Sequence, residues 1–186
     1  MTDPTDEAQI DRVRNGDRAA FAGLVDRYWD RICGWIFRLG GSRHVAEDVT
    51  QEAFLKAWVA LPQYEPGSGF RAWLFRIARN TYLDHCRRRE EAPGGTTFDL
   101  ALGREPEPIE VAQERELVDA IEQGVHELAD EFRTPFLLRT VESMAYSEIA
   151  EILTLNEDTV RWRIFKARQL LLKQLDSHVA PKESTS

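Results

Sequence analysis

Cysteine is nearly absent: Cys33 and Cys86 are the only thiols in 186 residues. Two cysteines so far apart form no disulfide framework. His85 beside Cys86 finds no second cysteine or histidine at ligand spacing, so no metal site is expected. No apolar run approaches the ~18 residues of a membrane span. The start, Met1 to Asp11, is acidic where a secretory leader would be basic and then apolar. The chain therefore reads as cytoplasmic, without stable membrane insertion. Residues 1–90 carry neither a ligand-pocket pattern nor a βα phosphoacceptor pattern. Asp84, His85 and Cys86 come nearest to a nucleophile cluster, but three adjacent helical residues point in different directions and cannot converge on one substrate. No enzyme and no cofactor are expected.

What is present is segregated charge. The formal net charge of -8 looks wrong for a nucleic-acid binder, yet it averages over opposites. From Arg71 to Arg89 there are six basic residues against one acid, and from Glu90 to Glu131 thirteen acids against Arg104 and Arg115. Positive charge returns near the C-terminus. A protein that meets phosphates at two places and keeps its middle off them has this distribution.

Met144 to Leu175 holds two helical patterns separated by a sharp turn. Tyr146, Ile149, Ala150 and Leu153 share one face, as do Val160, Ile164, Ala167 and Leu171. Thr154, Leu155 and Asn156 lie between, with Asn156 a good N-cap and Glu157 and Asp158 suited to the positive helix end. The second helix carries five basic residues from Arg161 to Lys173 and no acid. This is the pattern of a helix-turn-helix offering a basic recognition helix to the DNA major groove, and it also fits an ordinary helical hairpin with a solvated basic face. The concentration of basic residues on the second helix alone favours DNA.

Upstream, residues 8–39 read as two helices broken at Asn15-Gly16-Asp17, with Asp17 a plausible N-cap and Gly40-Gly41 a stop. From Val45 to Leu61, Val45, Val49, Ala53 and Ala57 form an apolar line, with Phe54 and Trp58 beside it. The opposite side carries Asp48, Gln51, Glu52 and Lys56, which fits either a solvated face or a protein-docking surface. Pro62 to Gly69 is a loop. Phe70 to Arg89 is a helix with Trp73, Leu74, Ile77, Ala78 and Leu83 inside and Arg71, Arg76, Arg79, Asn80 and Tyr82 reaching outward. Cations interleaved with rings beside a glycine-rich loop match how single strands are held. Further helices are expected over Val118–Leu128 and Phe132–Val141.

AEDVTQEAFLKAW, then FRAWLFRIARN after its loop, then YSEIAEIL with DTVRWRIFKAR, resemble in order and spacing a group IV (extracytoplasmic-function) sigma factor of bacterial RNA polymerase, of the sigma-70 family. The resemblance covers residues 8–89 and 118–175. It implies an all-α fold of two small helical domains joined by an acidic flexible linker. Residues 1–91 would be the region 2-like domain, 92–117 the linker, 118–176 the region 4-like helix-turn-helix domain and 177–186 a polar tail. It further implies that Asp48, Gln51, Glu52 and Phe54 dock on the β′ clamp of the RNA polymerase core. Lys56, Ser68, Phe70, Arg71, Arg76, Arg79, Asn80 and Tyr82 would capture and hold the melted −10 strand. Asp158, Thr159, Arg161, Trp162, Phe165, Lys166 and Arg168 would meet the −35 duplex, with the same unit lying against the β flap. The function implied is promoter-specific transcription initiation, without catalytic activity and with an anti-sigma factor as a further partner. A stand-alone helix-turn-helix regulator is the alternative.

As a free coil, the linker's ends would average about 25–30 Å apart, whereas sites two turns of B-DNA apart lie ~70 Å from one another. The linker is therefore expected either to work stretched, held by the polymerase with its acids mimicking nucleic acid in a basic channel, or to be a passive tether. Three positions depart from the family pattern. Ala145 stands where a capping Ser or Thr is usual, a loss of about 1 kcal/mol unless Ser143 or Ser147 substitutes. Asp158 stands in place of a common Gly, and Trp162 in place of a small Ser. Trp162 either contacts DNA through its ring or turns away to pack.

Overall fold

The computed structural model describes residues 4–40, 42–91 and 112–179, and every regular element among them is helical. In order these are α1 (Pro4–Arg14), α2 (Ala20–Gly40), α3 (Arg43–Ala60), α4 (Phe70–Glu90), α5 (Ala112–Glu127), α6 (Asp130–Thr140), α7 (Tyr146–Leu153) and α8 (Glu157–Val179), with a 3-10 turn at Leu61–Gln63. Most of the expected linker and the end of the tail lie outside the described residues. At the linker's end α5 begins at Ala112, six residues before the expected Val118. Residues 113–117 (QEREL) are strong helix formers, so the helix extends ahead of its first buried turn. No described helix is long and apolar enough to cross a membrane.

The first helix also starts earlier than its apolar pattern suggests, at Pro4, a residue that fits the first helical position because its missing N–H has no partner there anyway. Asp6 holds it down. Only 1% exposed, it accepts a 2.6 Å hydrogen bond from the Tyr28 hydroxyl and another from Arg27. The break after α1 turns on Gly16 at φ +97°, a conformation that glycine adopts without strain. Asp17 accepts from Arg12 at 2.6 Å across the break, three residues before α2 begins.

Leu24, Ile32, Trp35 and Ile36 of α2 pack with Val49, Ala53 and Ala57 of α3 and Leu74, Phe75 and Ala78 of α4, all buried. At the end of α2, a Cβ on Gly40 would lie 2.9 Å from the Tyr82 ring, so only glycine lets α4 approach so closely. In the second half, the expected lines meet: Ile149 and Leu153 of α7 and Val160 and Ile164 of α8 are buried together with Leu137 and Leu138 of α6, while Ala167 and Leu171 close on Leu128 in a smaller cluster.

The two halves share one continuous apolar core, running from Ile10 of α1 to Ile164 of α8. Its seam is formed by α2 against α6 and α4 against α7. Among the described residues three ion pairs cross it, the longest between Arg76 and Glu151 at 3.9 Å. Glu142, 5% exposed, accepts from Arg31 at 2.8 Å, and Glu148 accepts from Arg71 at 2.6 and 2.7 Å through its two oxygens. Two small cores in contact have merged into one closed body.

Candidate nucleic-acid interface

The helix-turn-helix is built from local chemistry. Thr154 ends α7 in the left-handed region at φ +56°, and the Leu155 N–H returns to the Ala150 carbonyl at 2.9 Å. Asn156 caps α8 by accepting from the Thr159 N–H at 2.7 Å. At the start of α7, Ala145 has no side-chain acceptor. Glu148, rather than Ser143 or Ser147, accepts the Ala145 N–H at 2.8 Å and supplies half of a capping box.

On α8 the buried line leaves an opposite arc of exposed residues: Asp158, Arg161, Trp162, Phe165, Arg168 and Gln169, with Thr159 and Lys166 half-buried at its edge. Seven expected −35 residues therefore lie on or beside one arc. Arg161 is held by Glu157 at 3.1 Å and stands 5.2 Å from the Tyr146 ring, whose other side faces Arg139 at 4.9 Å. Arg163 turns away to Glu131 at 3.2 Å. Trp162 resolves both ways at once: it is 55% exposed, while one edge packs on Phe132 with ring centroids 5.8 Å apart.

The expected −10 residues divide. Asn80 is exposed on α4, and Ser68 is exposed in the loop, where its hydroxyl donates to the Glu65 carbonyl at 2.6 Å. Lys56 lies against Glu52 at 2.9 Å and donates to the Thr81 hydroxyl at 3.2 Å. Arg71 and Arg76 face α7, meeting Glu148 and, at 3.9 Å, Glu151. Arg79 is half-buried beside a cavity lined by Tyr82, Glu131, Leu153 and Arg163. Burial, and then the Arg163 charge, lower its pKa.

Phe70 and Tyr82 do not reach outward. Phe70 is wholly buried, its ring 5.8 Å from Tyr28 and 5.6 Å from both Tyr64 and Trp73. Tyr82 is 7% exposed, and burial pushes its hydroxyl pKa up. Both fall on the inner side of α4, where the apolar ring outweighs any outward role the spacing suggested. The Phe70 ring instead braces the loop through Tyr64, while Tyr82 packs against Gly40 at the far end of α4. Arg14 of α1 donates to the Leu61 and Tyr64 carbonyls, and Glu7 accepts from the Gly67 N–H at 2.6 Å.

On α3, Asp48 and Gln51 are exposed and Glu52 is half-exposed. Asp48 lies 3.4 Å from His44. Lys56 foremost, opposed by burial and helped by Arg88, holds the Glu52 carboxyl below the ordinary range. Phe54 is a correction: at 5% exposure it stacks on Trp29, inside the core. The apolar members of this surface are residues the sequence reading passed over, Leu55 and Val59, exposed by 61% and 75%. They sit off the Val45–Ala57 line, four and eight positions beyond Gln51. That misregister was the available signal.

The electrostatics of the seam follow from its geometry. Burial raises the Glu148 pKa, but the Arg71 guanidinium and the Ala145 N–H outweigh it and hold the carboxyl below its usual value. Arg71 and Arg76 of α4 are thus paired with acids of the helix-turn-helix unit itself.

Residues 24–91 match the family model of sigma-70 region 2, and residues 119–171 that of sigma-70 region 4. The chain is 36% identical over 186 residues to the RNA polymerase sigma-H factor of Pseudomonas aeruginosa, covering 94% of this chain and 96% of that one. To the extracytoplasmic-function (ECF) sigma factor SigW of Bacillus subtilis it is 33% identical over 177 residues, 90% of this chain and 95% of the relative. The sigma-E factor of Escherichia coli K12 is 33% identical over 187 residues, 95% of each. Among solved structures, CnrH in complex with the cytosolic domain of CnrY superposes with a TM-score of 0.71 at 27% identity, over 93% of this chain and 98% of CnrH.

Proposed function

The chain belongs to the extracytoplasmic-function branch of the sigma-70 family, and on that premise we propose how its two halves divide the work of promoter recognition. As a sigma factor it binds core RNA polymerase and directs initiation at promoters; such factors are DNA-binding initiation factors and leave the chemistry to the polymerase. The α3 face of Asp48, Gln51, Glu52, Leu55 and Val59 meets the β′ clamp. The braced loop with Ser68, and α4 with Arg71, Arg76, Arg79 and Asn80, hold the melted −10 strand. The exposed arc of α8 enters the major groove at the −35 element. We read the chain as a non-enzyme of the cytoplasm, with an anti-sigma factor as a further partner.

The observation that carries this division is that two basic surfaces, α4 and α8, sit on different halves of the chain. In the closed body described here, Arg71 and Arg76 are taken up by Glu148 and Glu151. Two elements about two duplex turns apart, ~70 Å, also exceed what halves packed on each other can span. Promoter engagement therefore requires α7 to leave α4, and DNA phosphates then replace the two glutamates. Transcription from promoter fragments by core polymerase with the full chain tests the reading. Specific starts that depend on the added protein are expected. Starts unchanged by Arg71→Ala together with Arg76→Ala would remove α4 from the strand-holding role.

A further inference from the structure

The exposed arc of α8 is unusual in its chemistry. Opposite the buried line of Val160, Ile164 and Ala167, its centre is Phe165, with Trp162 on the flank facing α6 and Arg161 on the flank facing α7. Trp162 and Phe165 lie one turn apart and are 55% and 57% exposed. The two arginines beside them are already engaged, Arg161 by Glu157 and the Tyr146 ring and Arg163 by Glu131. Between these engaged arginines, the exposed surface at the centre of the arc is therefore aromatic. Lys166 and Arg168 flank it and suit an anionic partner such as a duplex. The edge of Trp162 against Phe132 fixes the ring's position, so little side-chain freedom is lost when a ligand meets its open side.

In the major groove three of the four bases present mainly hydrogen-bonding edges, and thymine adds a C5 methyl group. Indole and phenyl rings have no acceptor for cytosine N4. A phenyl ring also has no donor for guanine O6 or N7, and the single indole N–H can meet only one of those two acceptors, so against those bases the ridge strips more water than it replaces. Against thymine they bury a methyl group. We propose that Trp162 and Phe165 are specificity-determining residues of this chain, an apolar ridge that reads thymine in the −35 duplex by its methyl group. This rests on the assignment of α8 to the −35 duplex and names what that helix recognises.

The test uses holoenzyme made from the full chain and core polymerase, selecting from a duplex library randomised over the −35 stretch at fixed salt. Thymine is expected at one or two positions of the selected sequences. Replacing that thymine by uracil, which removes only the methyl, should weaken binding about four-fold. In Trp162→Ala or Phe165→Ala the thymine–uracil difference at the corresponding position should vanish, and Trp162→Leu should keep part of it. Indifference of the wild-type holoenzyme to uracil at every selected position overturns the proposal, whatever the variants do. So does a thymine–uracil difference that survives both alanine substitutions. Unchanged DNA selection combined with weaker core binding would place the ridge on the polymerase instead. Failure of the wild type to select any −35 sequence would sink the −35 assignment itself.

Discussion

Glu148 has two roles that one substitution separates. It accepts the Ala145 N–H at the start of α7, and it receives Arg71 across the seam. Gln serves as well as Glu in the first role, since either side chain can close a capping box. In the second it brings no charge. Arg71 and Glu148 are 25% and 15% exposed, so the pair is mostly but not fully desolvated. A hydrogen bond to a charged group contributes about 1.5–3 kcal/mol, and residual solvent reduces this to about 1–2 kcal/mol. Glu148→Gln should thus shift the closed–open equilibrium roughly 5- to 30-fold toward separated halves. Small-angle scattering of the free protein reads the shift as a larger radius of gyration. The pH dependence has a defined sign. A carboxyl held below its usual value stabilises the closed form above that value, near 4.5, and loses the contribution as pH falls through the lowered one. Acid should therefore open the wild type more than Glu148→Gln. Superimposable scattering from both proteins, at low and high salt, would refute the clamp.

Three further outcomes follow from the same geometry. Leu55→Asp or Val59→Asp should weaken binding to core polymerase about ten-fold or more while leaving the thermal unfolding midpoint unchanged, because both side chains are exposed and out of the core. Unaltered holoenzyme assembly would take Leu55 and Val59 out of the docking surface. Arg79→Ala should reduce the salt dependence of binding to melted −10 DNA by a slope of about 0.7, the value for one phosphate of a single strand; an unchanged slope would leave Arg79 as a seam residue alone. Thr154→Gly relieves a left-handed residue in the helix-turn-helix turn and should raise stability by up to about 1 kcal/mol, a few degrees in the unfolding midpoint. A lower midpoint would mean that the threonine side chain supports the turn.

The sequence was most legible where one physical rule acted alone. The buried lines Val160–Ile164–Ala167 and Val45–Val49–Ala53–Ala57 repeat at helical spacing, and they are buried as read. Asn156 caps α8 because a short polar side chain before an acidic turn has little else to do. Legibility fell where position on a helix decided between surface and core. Tyr82 was read as reaching outward because it sits among cations, and Phe54 and Phe70 took contact roles from the family resemblance, yet all three rings are buried. Asp6 escaped notice because a buried acid produces no periodic signal; its partners Arg27 and Tyr28 lie some twenty residues away. The closed seam was equally hidden. Glu148 and Glu151 look like solvated helix acids until α4 is laid against them.

This chain grips two promoter elements with two separate surfaces, and only once polymerase has spread them. Footprinting of one promoter fragment with the chain alone, core polymerase alone and both together tests it most directly. Protection at the −35 and −10 elements is expected only in the combined reaction. Strong protection of the −35 duplex by the chain alone, unchanged by core polymerase, would instead mark a stand-alone helix-turn-helix regulator and contradict it.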